Sequence, residues 1–115
     1  MNIKVSFHNM PHSEAIEVFV REKLDKINTL FKDNQNLSPF TMEMFLNANK
    51  KTIKMACELH MKTPDLDLVT QDGDPDMYIA ITKTIEKMIS LVKKEKEKIQ
   101  DKHTNIETEK RKFYK

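Results

Sequence analysis

The chain has 115 residues and a mass of 13.6 kDa, room for one domain of ordinary size. Its single Gly excludes the Gly-rich phosphate loops of nucleotide and dinucleotide sites, and its one cysteine, Cys57, excludes an intramolecular disulfide and a cysteine-rich zinc site. The net charge is only +2, yet the signs are segregated: residues 1–76 hold 9 basic against 12 acidic side chains, and residues 77–115 hold 11 against 6.

With 38% hydrophobic residues, six Phe and eight Met, the chain can build a core. No stretch approaches the roughly 20 apolar residues needed to cross a bilayer, and Met1-Asn2-Ile3-Lys4 is not followed by an apolar signal core. The expectation is a soluble protein of a reducing, cytoplasmic compartment, with no membrane role.

In chain order, Ile3, Val5 and Phe7 alternate with Lys4, Ser6 and His8, which predicts a half-buried strand over 2–8. Ser13 is placed to cap a helix over about 13–31, whose apolar stripe is Ile16, Val20, Leu24, Ile27 and Phe31 with Phe19 and Leu30 beside it. A loop at Asp33-Asn34-Gln35-Asn36 leads to a second strand through Met42, Met44 and Leu46. After a turn at Asn47-Ala48-Asn49-Lys50, a third strand through Ile53, Met55, Cys57, Leu59 and Met61 pairs antiparallel with the second. A shorter fourth strand follows at Leu66 and Leu68, closed by an acidic loop. Asp74-Pro75, with Asp as N-cap and Pro at the first helical position, starts a last helix over about 75–101. Its stripe is Met77, Ile81, Ile85, Met88, Val92 and Ile99.

The order β-α-β-β-β-α predicts an α+β two-layer sandwich, both helices on one face of a four-stranded sheet. Residues 1–102 form the domain, and 103–115 are expected to be a flexible C-terminal tail.

Catalytic and metal chemistry find little footing. Asp72-x-Asp74-x-Asp76 opens like a calcium loop, but Met77 stands where its Gly belongs and Lys83 where its Glu belongs. These carboxylates read as a turn and a helix cap. Cys57 lies on the apolar side of its strand while His60 faces the other way, so the thiol reads as core. We expect no enzyme activity, no metal, no cofactor and no small-molecule substrate.

The last helix carries the one concentrated signal. At about 100° per residue, Lys83, Lys87, Lys94 and Lys98 fall within about 60° of one another, as a ridge roughly 22 Å long that can meet successive phosphates. Lys23 and Lys26 of the first helix are expected near the groove between the helices, and Lys50 is on the hairpin. Tyr78 either stacks on a base or packs over the helix end. Three readings of the basic helix stay open: a nucleic-acid backbone, an acidic protein bound by a small interaction adaptor, or a solvated Lys-rich face.

A resemblance adds to this. Asn2-Ile3-Lys4-Val5, Ser13-Glu14-Ala15-Ile16 and Val20-Arg21-Glu22-Lys23-Leu24-Asp25-Lys26-Ile27 resemble the first half of ribosome hibernation promoting factors, which include the ribosome-associated inhibitor proteins. Leu59-His60-Met61, Asp76-Met77-Tyr78-Ile79-Ala80-Ile81, Ile85-Glu86-Lys87 and Lys94-x-Lys96-x-Lys98 resemble the second half, and the likeness covers about residues 1–102.

The resemblance implies a domain shaped like double-stranded RNA-binding domains that occupies the mRNA and tRNA channel of the small ribosomal subunit. There it would contact rRNA and the ribosomal proteins near the decoding channel and inhibit translation under stress, being monomeric off the ribosome. The RNA-facing surface then carries over to Lys23, Lys26, Lys87, Lys94 and Lys98, and less closely to Lys50 and Lys83. Glu17 and Ser90 stand at positions often basic in that family, and the fourth strand is unusually acidic at Asp65 and Asp67. The pairing domain of long members has no counterpart here, which suggests a short form.

Overall fold

The structure is a computed structural model that describes the backbone of residues 2–33, 38–48 and 55–113, and side chains as far as residue 97. Its elements are β1 (Asn2–His8), α1 (Glu14–Phe31), β2 (Thr41–Ala48), β3 (Met55–Lys62), β4 (Asp67–Asp74) and α2 (Met77–Phe113). Strand order in the sheet is β1-β2-β3-β4: β1 runs parallel to β2, with α1 as the crossover, and the other neighbours are antiparallel hairpin partners.

Period-two patterning decides which face is buried. Met42, Met44 and Leu46 of β2 and Cys57, Leu59 and Met61 of β3 point to one side, where α1 supplies Val20, Leu24, Ile27 and Phe31 and α2 supplies Met77, Ala80, Ile81, Ile85, Met88 and Val92. The two layers are therefore an α+β sandwich of the expected topology. Leu30, read as flanking the α1 stripe, is instead 53% exposed, because the stripe turns away from it toward Phe31.

Three boundaries differ from the sequence reading. β4 extends to Asp74, so Asp72 and Asp74 lie in a full-length edge strand rather than an acidic loop; Cys57 pairs with Asp72 and Met55 with Asp74. The helix cap is Asp76, not Asp74: the Asp76 carboxylate accepts the Tyr78 amide at 2.8 Å and its carbonyl accepts the Ala80 amide at 3.0 Å. Asp74 accepts the Asp76 amide at 2.9 Å and so shapes the turn before the cap. Asp76→Ala is expected to cost about 0.5–2 kcal/mol, read as a lower urea midpoint with an unchanged m-value. Finally, α2 runs to Phe113 rather than ending near 101, consistent with the absence of any Gly or Pro after Pro75.

Among the described residues, buried side-chain polar atoms all have hydrogen-bond partners. The Thr84 hydroxyl, fully buried on α2, donates to the Ala80 carbonyl at 2.8 Å, and its own carbonyl accepts the Thr70 hydroxyl of β4 at 3.0 Å. That second bond fastens α2 to the edge strand and sets which flank of the helix overhangs it.

Candidate nucleic-acid interface

α2 lies between α1 on one side and β4 on the other, and its two flanks carry different chemistry. On the β4 flank, Lys83 Nζ lies 3.2 Å from an Asp74 carboxylate oxygen. One turn on, Lys87 Nζ lies 3.2 Å from the Asp72 carboxylate and donates to the Gln71 carbonyl at 3.1 Å. Lys94 extends the row, and among the described residues it has no ion pair. Lys83, Lys87, Ser90, Leu91 and Lys94 line a shallow groove of about 510 Å³ with Asp72 and Glu86.

The basic ridge is thus a ledge beside β4, where Lys side chains of α2 reach the carboxylates of the neighbouring strand. Two of its three described lysines are held by counterions. The Asp72 carboxyl sits below its ordinary range, chiefly because it accepts the Gly73 amide and then because of Lys87. Asp74 is lowered in the same direction, first by the Asp76 amide and then by Lys83.

On the α1 flank, Tyr78 is 42% exposed and meets Phe19 edge-on, ring centroids 5.0 Å apart, while the Lys23 ammonium sits 5.4 Å from the centroid of the same Phe19 ring. Lys26 follows Lys23 on an exposed part of α1. So Tyr78 packs between the helices with part of its ring still open, and Lys23, Phe19 and Tyr78 form a cation-aromatic line at the helix-helix groove. The eight candidate residues therefore divide: Lys23 and Tyr78 belong to this groove, Lys26 is exposed on α1 without a contact that places it there, and Lys83, Lys87 and Lys94 belong to the ledge. Lys50 and the Lys98 side chain lie outside the described residues.

Sequence reasoning missed the counterions of the ledge. The acidic character of β4 was visible, but only its longer course brings Asp72 and Asp74 opposite Lys87 and Lys83. Arg21 is structural: its guanidinium donates to the Ile3 carbonyl at 3.3 Å and pairs with Glu17 at 3.6 Å, tying α1 to β1.

Cys57 is 2% exposed, its thiol 3.0 Å from the Met44 sulfur, and burial pushes its pKa up to about 12. A thiol so protonated is no nucleophile near neutral pH. Among the described residues no group of three His, Cys, Asp or Glu side chains could hold a metal, and no helix is long and apolar enough to cross a membrane.

The fold and the ledge define an α+β domain of order β-α-β-β-β-α with a lysine-lined last helix. Residues 3–100 match the family described as sigma 54 modulation protein / S30EA ribosomal protein, and the chain belongs to that family. Among solved structures it is similar to a ribosomal subunit interface protein from Coxiella burnetii, with TM-score 0.72 and 20% identity over 84% of this chain and 98% of that one. It is also similar to the N-terminal domain of Thermus thermophilus Protein Y, with TM-score 0.68 and 23% identity over 82% and 98% of the two chains. Comparison with curated proteins returns no significant match.

Proposed function

We propose that this protein is a ribosome hibernation factor: it binds rRNA in the mRNA and tRNA channel of the small ribosomal subunit and inhibits translation under stress, in the cytoplasm and without catalysis. The observation that carries the reading is family membership over residues 3–100. One of the two structural neighbours, from Coxiella burnetii, is a ribosomal subunit interface protein, which supports the reading. Residues 1–102 are the ribosome-binding unit and 103–115 its tail, and the protein is a monomer off the ribosome.

The ledge supplies a physical route. In the pairs Lys83–Asp74 and Lys87–Asp72 the lysines are about half exposed, so water screens the pairing and leaves the ammonium groups open to exchange with a phosphate. A row of backbone phosphates adds what a carboxylate pair lacks, several charge-assisted contacts at once and the release of condensed counterions. The cost is that Asp72 and Asp74 remain nearby, so binding should depend strongly on Lys94, which has no ion pair among the described residues.

The test is cosedimentation of the purified chain with small ribosomal subunits across a salt series. Occupancy should fall steeply with salt, by a slope of roughly 0.9 per phosphate contact in log–log form. No association at low salt, or capture of a protein partner that survives nuclease treatment, would overturn the proposal.

A further inference from the structure

The sheet face turned away from the helices carries side chains that the ledge does not use. Register places Ser6, Phe45, Glu58 and Gln71 in one cross-strand row and His8, Asn47, Ala56 and Gly73 in the next. Because Ala56 and Gly73 stand side by side, the surface sinks there into a hollow of about 600 Å³, bounded by Phe45, Asn47, Glu58 and Gln71. The aromatic wall is built from three strands: His8 stacks on Phe45 at 6.0 Å between centroids, and His60 meets Phe45 edge-on at 5.1 Å.

Lys4 pairs with Glu43 at 3.7 Å, the His60 ring lies 3.4 Å from the Glu58 carboxylate, and among the described residues no Lys or Arg lines the hollow. Among the described residues a phosphate finds no cation inside, whereas a flat heteroaromatic ring finds an aromatic wall, a floor at Ala56 and Gly73 without bulky side chains, and the tips of Asn47, Glu58 and Gln71 at its edge. The cations lie just across β4. Asp72 borders both the hollow and the groove of Lys83, Lys87 and Lys94, so the two recesses adjoin at the end of that strand.

We infer that the hollow receives one unstacked base of a single-stranded RNA whose phosphates run along the α2 ledge. The inference rests on the RNA-binding reading above and extends it to a second face of the domain. The base lies against Phe45 over the Ala56–Gly73 floor. Glu58 accepts from an exocyclic amine, and the Gln71 and Asn47 amides can donate or accept. A paired base is held in its stack and cannot enter, so the site selects single strands over duplex.

The test uses the full chain and a fluorescently labelled seven-nucleotide single-stranded RNA, with affinity measured by anisotropy at several salt concentrations. Phe45→Ala, which removes the stacking wall, and Ala56→Leu, which fills the hollow, should each weaken binding by about tenfold while leaving the salt slope unchanged, since neither removes a phosphate contact. Lys94→Glu should lower affinity and flatten the slope. Amide resonances of Phe45, Ala56 and Gly73 should shift with this RNA but not with the corresponding duplex or with adenosine monophosphate. Wild-type affinity in both sheet variants, or no binding of the RNA by the wild type, overturns the inference. Equal shifts with adenosine monophosphate would make the hollow a free-nucleotide site and also overturn it. If the sheet variants bind normally while Lys94→Glu abolishes ribosome association, the base site fails and the ribosome reading stands.

Discussion

Lys87→Glu combined with Lys94→Glu is expected to abolish cosedimentation with the small ribosomal subunit. Each charge-assisted contact to a phosphate is worth roughly 1.5–3 kcal/mol, so losing two removes about 3 kcal/mol or more, an affinity loss above about 100-fold. Reversal adds repulsion, because the new carboxylates join Asp72 and Glu86 in the same groove. Lys87 also ties the edge strand at Asp72 and Gln71, so part of the effect could come from a loosened β4. Lys94→Glu alone separates the two, since Lys94 has no ion pair among the described residues: it should lower occupancy several-fold with an unchanged melting temperature. Unchanged occupancy of the double variant at moderate salt would remove the ledge from the binding surface.

Leu59→Ala is expected to destabilise the domain by about 2–5 kcal/mol. Leu59 is fully buried on β3, an interior strand, where it faces the helices beside Met44 of β2 and Thr70 of β4. Truncation leaves a cavity under α2 that a sheet hydrogen-bonded on both sides cannot collapse to fill. A domain of this size has about 5–15 kcal/mol in total, so the melting temperature should fall by roughly 8 °C or more. A shift below about 3 °C would mean that the core repacks around the gap, and the account of β3 as its centre would fail.

Much of the architecture was legible in the sequence because it rests on local periodicity. Alternation at Ile3, Val5 and Phe7 and again at Met42, Met44 and Leu46 marks strands with one buried face, and Ser13 caps α1 as its side chain requires, accepting the Ile16 amide at 3.3 Å. The boundaries that were misplaced are those where local chemistry is ambiguous. Asp74 and Asp76 are both good cap residues, and only the backbone trajectory leaving β4 selects Asp76. The end of α2 has no local stop signal, so the fading of the apolar stripe after Ile99 suggested a limit that the backbone does not observe.

The candidate site was legible as an inventory and not as an arrangement. A helical wheel groups Lys83, Lys87 and Lys94 correctly, because their separation depends on helix geometry alone. It cannot say that Tyr78, five residues before Lys83, faces α1 while Lys83 faces β4, since that depends on which strand and which helix flank α2. The aromatic wall of His8, Phe45 and His60 shows the same limit more sharply: its members lie on three strands, far apart in the chain, and no spacing rule connects them.

Length, one Gly and segregated charge by themselves determined a single small domain, without a backbone phosphate cradle, that concentrates positive charge in its last helix. Only the tertiary structure decided how that charge is presented. Pairing of β3 with β4 sets Asp72 and Asp74 beside the lysines, so the excess read from the sequence is partly neutralised within the fold itself. Charge counts follow from composition, but whether a charge is free follows from what the fold puts within about 4 Å of it.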